Sequence, residues 1–127
     1  MNFRWGHGLI WVNFEVEYAQ KVYQIKDCII DTGSATTAVH TDAVEFDLRR
    51  GGILKRLVGI GGGRQEVVTQ MVDRFIIDKT EFNQIEIEFG NLQDEFGVNG
   101  FVGNDILKHF VVAIDYPRQQ IDFTFVE

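Results

Sequence analysis

The sequence predicts a mostly β protein that forms one domain over residues 1–127. In several runs apolar and polar residues alternate, which is typical of half-buried strands. The chain also contains thirteen Gly and eleven Phe but only one Pro, a composition that suits compact sheets joined by tight turns. A chain of this length can bury a sizeable core without disulfides, and its single cysteine, Cys28, cannot form an internal bridge.

The first predicted element is a hairpin in the N-terminal part of the chain. Apolar residues such as Val12 alternate with polar ones such as Glu15 over residues 9–18, so this strand is expected to place one face in the core. A second apolar run covers residues 22–30 after a three-residue connection, which predicts antiparallel pairing of the two strands. The second strand would then end at Asp31.

The remaining elements are predicted from alternation, capping residues and glycines. In chain order they are a strand at 36–39, a short helix at 43–50, strands at 71–77 and 82–89, a polar loop at 90–99, a brief strand ending at Gly103 with a short helix behind it, and a closing hairpin at 111–116 and 120–126. The Glu residues of the strands are expected on solvent faces. Asn104 or Asp105 is expected to cap the second helix.

Charge and hydropathy argue against two classes of partner. Lys and Arg total 12 against 19 Asp and Glu, and the net charge of -7 opposes binding to a phosphate backbone, so nucleic acid is not expected as a partner. No apolar run reaches the roughly 18 residues of a membrane span, and no signal-type core follows the N-terminus. We therefore expect no membrane association and a cytoplasmic location, although a fragment processed from a longer precursor would look the same.

The most informative stretch is Asp31-Thr32-Gly33-Ser34, which follows the apolar run directly. A buried strand should not end in an ionisable group unless hydrogen bonds or a partner offset its loss of hydration. Gly33 permits a sharp turn and the close approach of another backbone, and the hydroxyls of Thr32 and Ser34 can bond neighbouring main chain or a carboxylate. Asp31 therefore either caps a strand-end turn or takes part in chemistry.

A second informative stretch has four glycines within five positions, at residues 59–63. The flanking β-branched runs predict a hairpin whose tip exposes bare backbone. A phosphate-binding loop is the competing interpretation, but the stretch lacks the Lys-Ser/Thr pair of a P-loop and no helical pattern follows. An ordinary glycine-rich hairpin turn remains an alternative.

The Asp31 loop, the glycine-tipped hairpin and the apolar strand ending at Gly103 occur in a fixed order. In that order they resemble the retropepsin-like aspartic proteases, the single-domain relatives of pepsin, over roughly residues 22–123. The resemblance implies an all-β, closed β-barrel of the acid protease fold with one or two short helices. It implies no cofactor and no metal.

The resemblance also assigns roles to individual residues. Asp31 matches the catalytic aspartate, Thr32 matches the residue whose hydroxyl braces the partner's loop, and Gly33 matches the glycine that admits substrate. Ser34 would bond the loop or the substrate. The flap tip, which closes over a bound peptide in this family, is matched by Gly59, Ile60, Gly61 and Gly62. The segment that supports the catalytic loop is matched by Phe101, Val102 and Gly103.

Two departures from the family pattern concern the dimer. Asn104 stands where viral members commonly have an arginine that ties the two subunits together. The residues before Val22 are predicted to form an additional strand that the shortest viral members of the family lack. Because of these two departures, the resemblance does not define the geometry of a dimer. Neither departure changes the residues of the Asp31 loop or the chemistry expected of them.

Peptide hydrolysis of this class needs one ionised carboxylate to take a proton from water and one protonated carboxyl to donate a proton to the carbonyl oxygen. Two carboxyls about 3 Å apart share a proton because both cannot ionise together. The chain has one Asp-Thr-Gly and is too short for the two-lobed arrangement of pepsin. The predicted function is therefore that of a homodimeric aspartic endopeptidase, in which Asp31 of each subunit activates a water that attacks a polypeptide.

Other interpretations remain open. The same fold can serve as a catalytically inactive module for dimerisation or peptide binding, since a fold does not entail an activity. A small ligand-binding barrel would explain the strands but not a carboxylate at the end of an apolar strand. The three histidines are dispersed without metal-ligand spacing, and Ser34 lacks the sequence context of a nucleophile.

Overall fold

The computed structural model describes residues 1–58 and 64–127, so the predicted flap tip of Gly59, Ile60, Gly61 and Gly62 lies outside the described residues. The described part contains ten strands and two short helices. The strands are β1 (Arg4–Gly6), β2 (Leu9–Tyr18), β3 (Lys21–Ile30), β4 (Ala38–His40), β5 (Ile53–Val58), β6 (Arg64–Ile77), β7 (Thr80–Gly90), β8 (Gly100–Val102), β9 (Phe110–Asp115) and β10 (Gln120–Phe125). The helices are α1 (Leu92–Phe96) and α2 (Asn104–Leu107). Neither helix of this described part has the length and apolar character needed to cross a membrane.

Eight strands form one sheet in the order β1-β2-β3-β8-β4-β7-β6-β5, and β9 pairs with β10 in a separate hairpin. An additional antiparallel pairing of β2 with β6 joins the sheet to itself, so the six strands from β2 to β6 in this order form a ring. Two neighbouring pairs, β3–β8 and β4–β7, are parallel. The predicted all-β class with one or two short helices is confirmed.

The predicted N-terminal hairpin is also confirmed, since β2 and β3 pair antiparallel from Trp11 opposite Ile29 to Tyr18 opposite Lys21. Every second side chain of β2, from Ile10 to Tyr18, is buried in the core, as the alternation of apolar and polar residues predicts. The rings of Phe14 and Phe75, for example, lie 4.7 Å apart in the interior. Burial of each such side chain contributes on the order of 1.5–3 kcal/mol, so this core is the main source of stability for the ring.

Three predictions of local structure are wrong. The helix expected at 43–50 is replaced by two 3-10 turns, Thr41–Ala43 and Leu48–Arg50, because the backbone of Val44 between them is extended. The polar loop expected at 90–99 contains α1, whose Leu92 is buried together with Val98. The predicted strand at 36–39 begins only at Ala38.

A buried polar cluster attaches the loop of residues 47–52 to β6. The hydroxyl of Tyr18 donates to Oε1 of Gln70 at 2.6 Å and accepts from the backbone amide of Asp47 at 3.0 Å. Nε2 of Gln70 donates to the carbonyl oxygens of Asp47 and Gly51 at 3.0 Å and 2.7 Å. Because Tyr18 and Gln70 are buried, these bonds replace contacts with water and hold the loop in one place. We call this set the Tyr18–Gln70 cluster.

The Tyr18–Gln70 cluster generates a stability prediction. Tyr18→Phe should lower the free energy of unfolding by about 1–3 kcal/mol, because it leaves a half-buried amide and a buried side-chain oxygen without their partner. The measurement is urea unfolding followed by circular dichroism. Tyr23→Phe is the matched control, since the Tyr23 hydroxyl accepts one bond from the exposed amide of Glu45 at 3.2 Å and should matter less. Equal losses in the two variants would contradict the importance of the buried cluster.

Candidate active site

Asp31 is the first residue beyond β3, at the point where this strand runs parallel to β8. Its backbone amide donates to the carbonyl oxygen of Val102 at 3.0 Å, which continues the pairing of the two strands by one residue. Its Oδ1 accepts from the amide of Gly33 at 3.0 Å, and the amide of Ser34 donates back to the Asp31 carbonyl at 3.2 Å. The carboxylate is half-buried, and Oδ2 makes no hydrogen bond to the described residues. One oxygen is thus held by the turn while the other remains available.

The loop after Asp31 is fastened to the start of α2 within the same chain. The backbone amide of Asn104 donates to the carbonyl of Ser34 at 2.8 Å, and its side-chain Nδ2 donates to the carbonyl of Thr32 at 2.7 Å. The hydroxyl of Ser34 donates to the Thr36 carbonyl at 2.8 Å. The hydroxyl of Thr32 is exposed and makes no hydrogen bond to the part of its own chain that is described. Asn104 therefore secures the loop, and Thr32 is left facing outward.

Close backbone contact fixes Gly103 beneath this loop. A Cβ atom at Gly103 would lie 2.7 Å from the carbonyl carbon of Thr36 and 2.9 Å from the carbonyl oxygen of Ser34, closer than such atoms approach. Glycine is the residue that permits this contact without displacing the loop. The preceding residues Phe101 and Val102 lie in β8 between β3 and β4, where Val102 is buried. The predicted supporting segment is thus adjacent to the Asp31 loop.

A buried connection between Thr37 and Asp105 was not predicted from the sequence. The Thr37 hydroxyl donates to Oδ1 of Asp105 at 2.7 Å and accepts from the Gly103 amide at 3.0 Å, while the Thr37 amide donates to the same Oδ1 at 3.0 Å. The expected capping role of Asn104 or Asp105 is wrong, because α2 begins after Gly103 without a side-chain cap. Asp105 instead links the end of the loop to α2. No local pattern could have indicated a contact between residues so distant in sequence.

The Thr37 contacts generate the second prediction. Thr37→Val keeps the side-chain shape but removes the hydroxyl that joins Asp105 to Gly103, so the free energy of unfolding should fall by about 1–3 kcal/mol. Thr124→Val is the matched control, because Thr124 is exposed in β10 and no hydrogen bond of its hydroxyl exists within the described residues. Chemical unfolding of both variants measures the difference. A Thr37→Val protein as stable as the Thr124→Val protein would show that this connection does not hold the loop.

Glu88 contradicts the expectation that strand carboxylates face solvent. It lies in β7 opposite Ala38 of β4 and Thr69 of β6, and only 4% of its surface is exposed. Its Oε2 and the Thr69 hydroxyl are both buried without a hydrogen-bond partner in the described structure. Alternation along β7 correctly places Ile87 in the main core, but it cannot indicate that the opposite face of an internal strand is covered as well.

Two other chemically reactive side chains, those of His40 and Cys28, are buried away from the Asp31 loop and belong to the packing of the sheet. His40 is buried, and its Nδ1 accepts from the backbone amide of Leu92 at 3.2 Å, which fastens the start of α1 to β4. Burial and, second, the negative charge of Asp27 raise the pKa of the Cys28 thiol above its ordinary value, so the thiol stays protonated at neutral pH. Among the residues with described positions, no three His, Cys, Asp or Glu side chains are grouped so that they could hold a metal ion.

The ring of strands and the paired ends of β3 and β8 define a retropepsin-like fold, and comparison with solved structures confirms it. A retropepsin-like aspartic protease from Rickettsia conorii matches with a TM-score of 0.66 and 20% identity over 97% of this chain and 88% of that chain. The retroviral protease-like domain of Ddi1 from Leishmania major matches with a TM-score of 0.56 and 17% identity over 94% of each chain. No protein-family model and no curated protein matches the sequence. At these identities the comparisons establish the fold alone.

Proposed function

We propose that this protein is an aspartic endopeptidase that hydrolyses polypeptides as a homodimer. The observation that carries the proposal is the Asp31 carboxylate, which is half-buried at the end of β3 and has one oxygen bonded to the Gly33 amide and the other unbonded. If the aspartate only capped a turn, the close backbone contact of Gly103 with Ser34 and Thr36 would not be required. The retropepsin-like fold supports this assignment of Asp31.

The proposed mechanism uses two copies of Asp31 and no covalent intermediate. One ionised carboxylate takes a proton from a water molecule, which attacks the carbonyl carbon of the peptide bond. The protonated carboxyl of the other subunit donates its proton to the carbonyl oxygen, which gives a tetrahedral intermediate. The first carboxyl then donates its newly acquired proton to the amide nitrogen, the C–N bond breaks, and a hydroxyl of the intermediate returns its proton to the carboxylate of the other subunit. The Gly33 amide holds Oδ1 of each Asp31 in a fixed orientation, so that the two groups need not reorganise during the reaction.

A second subunit is required because one carboxylate cannot be ionised and protonated at the same time. The exposed Thr32 hydroxyl, which has no partner in the described part of its own chain, is suited to bond the loop of the second subunit. The dimer axis would then pass between the two Asp31 loops, and an extended peptide would cross it. We assign the covering of this peptide to Gly59, Ile60, Gly61 and Gly62, as the sequence predicts.

The Asp31→Asn variant tests the catalytic role. It should lower kcat/KM for peptide cleavage by about 10²- to 10⁴-fold, because asparagine can neither take nor donate the required proton. The fold should remain, since the asparagine oxygen can still accept from the Gly33 amide. Asp42→Asn is the control, because the Asp42 side chain is 91% exposed in a 3-10 turn and should leave turnover unchanged. Undiminished cleavage by Asp31→Asn would end the proposal.

Sedimentation tests the requirement for two subunits. At micromolar concentrations the protein should sediment as a dimer, and a statine-type peptide inhibitor should shift any monomer toward the dimer because it contacts both Asp31 loops. Thr32→Ala should weaken this association, whereas Thr124→Ala should not, since Thr124 lies in β10 outside the loop. A strict monomer in the presence of the inhibitor would favour the alternative, an inactive module that shares the fold.

A further inference from the structure

Glu88 is a buried carboxylate for which the described residues supply no partner. Only 4% of its surface is exposed, and Oε2 is enclosed without a hydrogen bond to them. Thr69, which lies opposite Glu88 on β6, is 7% exposed, and its hydroxyl is also enclosed without a partner in the described structure. Buried polar groups of this kind cost free energy. A partner from outside the chain would therefore stabilise both groups.

No cation of the chain with a described position neutralises Glu88. None of the ion pairs in that part of the structure includes its carboxylate. Lys55 of β5 shares a face with Thr69, two residues away in register, but it is exposed and does not reach Glu88. The negative charge is therefore free to pair with a ligand.

Glu88 and Thr69 lie on the face of the sheet that also carries Asp31. Paired residues of neighbouring strands point to the same face, and the pairings form one row across six strands. From β3 to β5 this row consists of Ile29, Phe101, Ala38, Glu88, Thr69 and Ile53. Asp31 follows Ile29 by two residues, and the intervening Ile30 packs against the main core. Asp31 and the row therefore share the face that points away from that core.

The two ends of this row differ in character. Near β3, Ile29 and Ala38 are covered by Leu92 of α1 and by Val98, and Phe101 packs against this apolar cluster. At β5 the row ends in Ile53, which is 63% exposed. The polar pair thus lies between an apolar wall and an exposed strand. Because Oε2 of Glu88 is the enclosed atom, Oε1 is the oxygen nearer to solvent.

Glu88 is within reach of a peptide that crosses the Asp31 loop. Three strand spacings of about 4.8 Å separate β3 from β7, so the two strands lie roughly 14 Å apart across the sheet. Two residues of an extended peptide span roughly 7 Å, and a long side chain covers the remaining distance. The substrate residue that meets Glu88 is therefore the second one from the cleaved bond. In a symmetric dimer this holds on both sides of that bond.

A cationic side chain fits the polar pair better than a neutral or acidic one. An ammonium or guanidinium group donates several hydrogen bonds, and the Glu88 carboxylate and the Thr69 hydroxyl can both accept them. Hydrogen bonds between ionised groups are stronger than neutral ones. The methylene stem of lysine or arginine would pack along the apolar wall formed by Phe101 and Ala38. An acidic side chain would be repelled by the carboxylate.

We propose that Glu88 and Thr69 form a specificity site that receives a lysine or arginine side chain two residues from the cleaved bond of a polypeptide. This inference rests on the proposed peptidase function and adds the class of substrate to it. Glu88 does not touch the reacting atoms in this scheme. It selects the substrate, whereas Asp31 performs the chemistry.

A matched pair of statine-type inhibitors tests the site, because the statine group fixes the position of the peptide against the Asp31 loops. One inhibitor carries lysine two residues from the statine on each side, and the other carries norleucine, an uncharged side chain of similar length. Calorimetric titration of the full chain should give a Kd at least about tenfold lower for the lysine inhibitor. Equal affinities would overturn the inference and leave the proposed peptidase function standing.

Substitutions in the polar pair locate the preference. Glu88→Gln keeps the shape of the side chain but removes its charge, so the preference for lysine should fall to about twofold or less. Thr69→Val should reduce the preference by about threefold through loss of one acceptor. Glu86→Gln is the matched control, because Glu86 is an exposed carboxylate two residues before Glu88 on the same strand. Equal losses from Glu86→Gln and Glu88→Gln would mean that overall charge attracts the inhibitor, which contradicts a site at Glu88.

Cleavage assays separate the inference from the function on which it rests. A peptide with lysine at the two positions should be cleaved with a kcat/KM about tenfold above that of its norleucine analogue, and Glu88→Gln should bring this ratio close to one. Lysine-selective inhibitor binding without any cleavage would end the peptidase proposal and leave the site at Glu88 intact. Cleavage of both peptides at equal rates would do the reverse. Failure of both inhibitors to bind would overturn the inference together with the proposed function.

Discussion

The contact between Gly103 and the loop after β3 is the constraint on which the candidate site depends. It brings two backbones closer than a Cβ atom would allow, and the Thr37 hydroxyl bridges the same place by accepting from the Gly103 amide. The end of β8 therefore acts as a rigid support for the turn that carries Asp31. The parallel pairing of β3 with β8 fixes the position of Asp31 relative to the end of β8, because the Asp31 amide donates to the Val102 carbonyl and extends that pairing by one residue.

Polar groups that lie inside the protein serve two separate positioning tasks. Thr37 and Asp105 hold the Asp31 loop against α2, whereas the Tyr18–Gln70 cluster holds residues 47–52 against β6. In each case a side chain satisfies backbone groups that the strands cannot pair, which is the usual way for an irregular segment to be buried without a penalty. The loop of residues 47–52 and the Asp31 loop are thus both held in place by polar side chains from other parts of the chain.

Local patterns in the sequence were sufficient for much of the fold. Alternation along β2 predicted which of its side chains enter the core, and the abrupt change from apolar residues to Asp31-Thr32-Gly33-Ser34 indicated the candidate loop. Features that depend on distant neighbours could not be predicted in this way. Burial of Glu88 could be predicted only with the knowledge that both faces of β7 are covered. The two 3-10 turns at Thr41–Ala43 and Leu48–Arg50 replace a helix that apolar spacing and capping signals favoured.

The distance along the chain between Thr37 and Gly103, which are 66 residues apart, has a consequence for how the protein acquires its site. Closing such a large loop costs entropy before the contact is made, so the turn at Asp31 gains its final shape only after the C-terminal third of the chain has docked. A nascent or truncated polypeptide that ends before β8 would carry the aspartate and the Gly33 amide without Val102, Gly103 and Asp105, which support the turn. Chemical competence would thereby be coupled to completion of the fold.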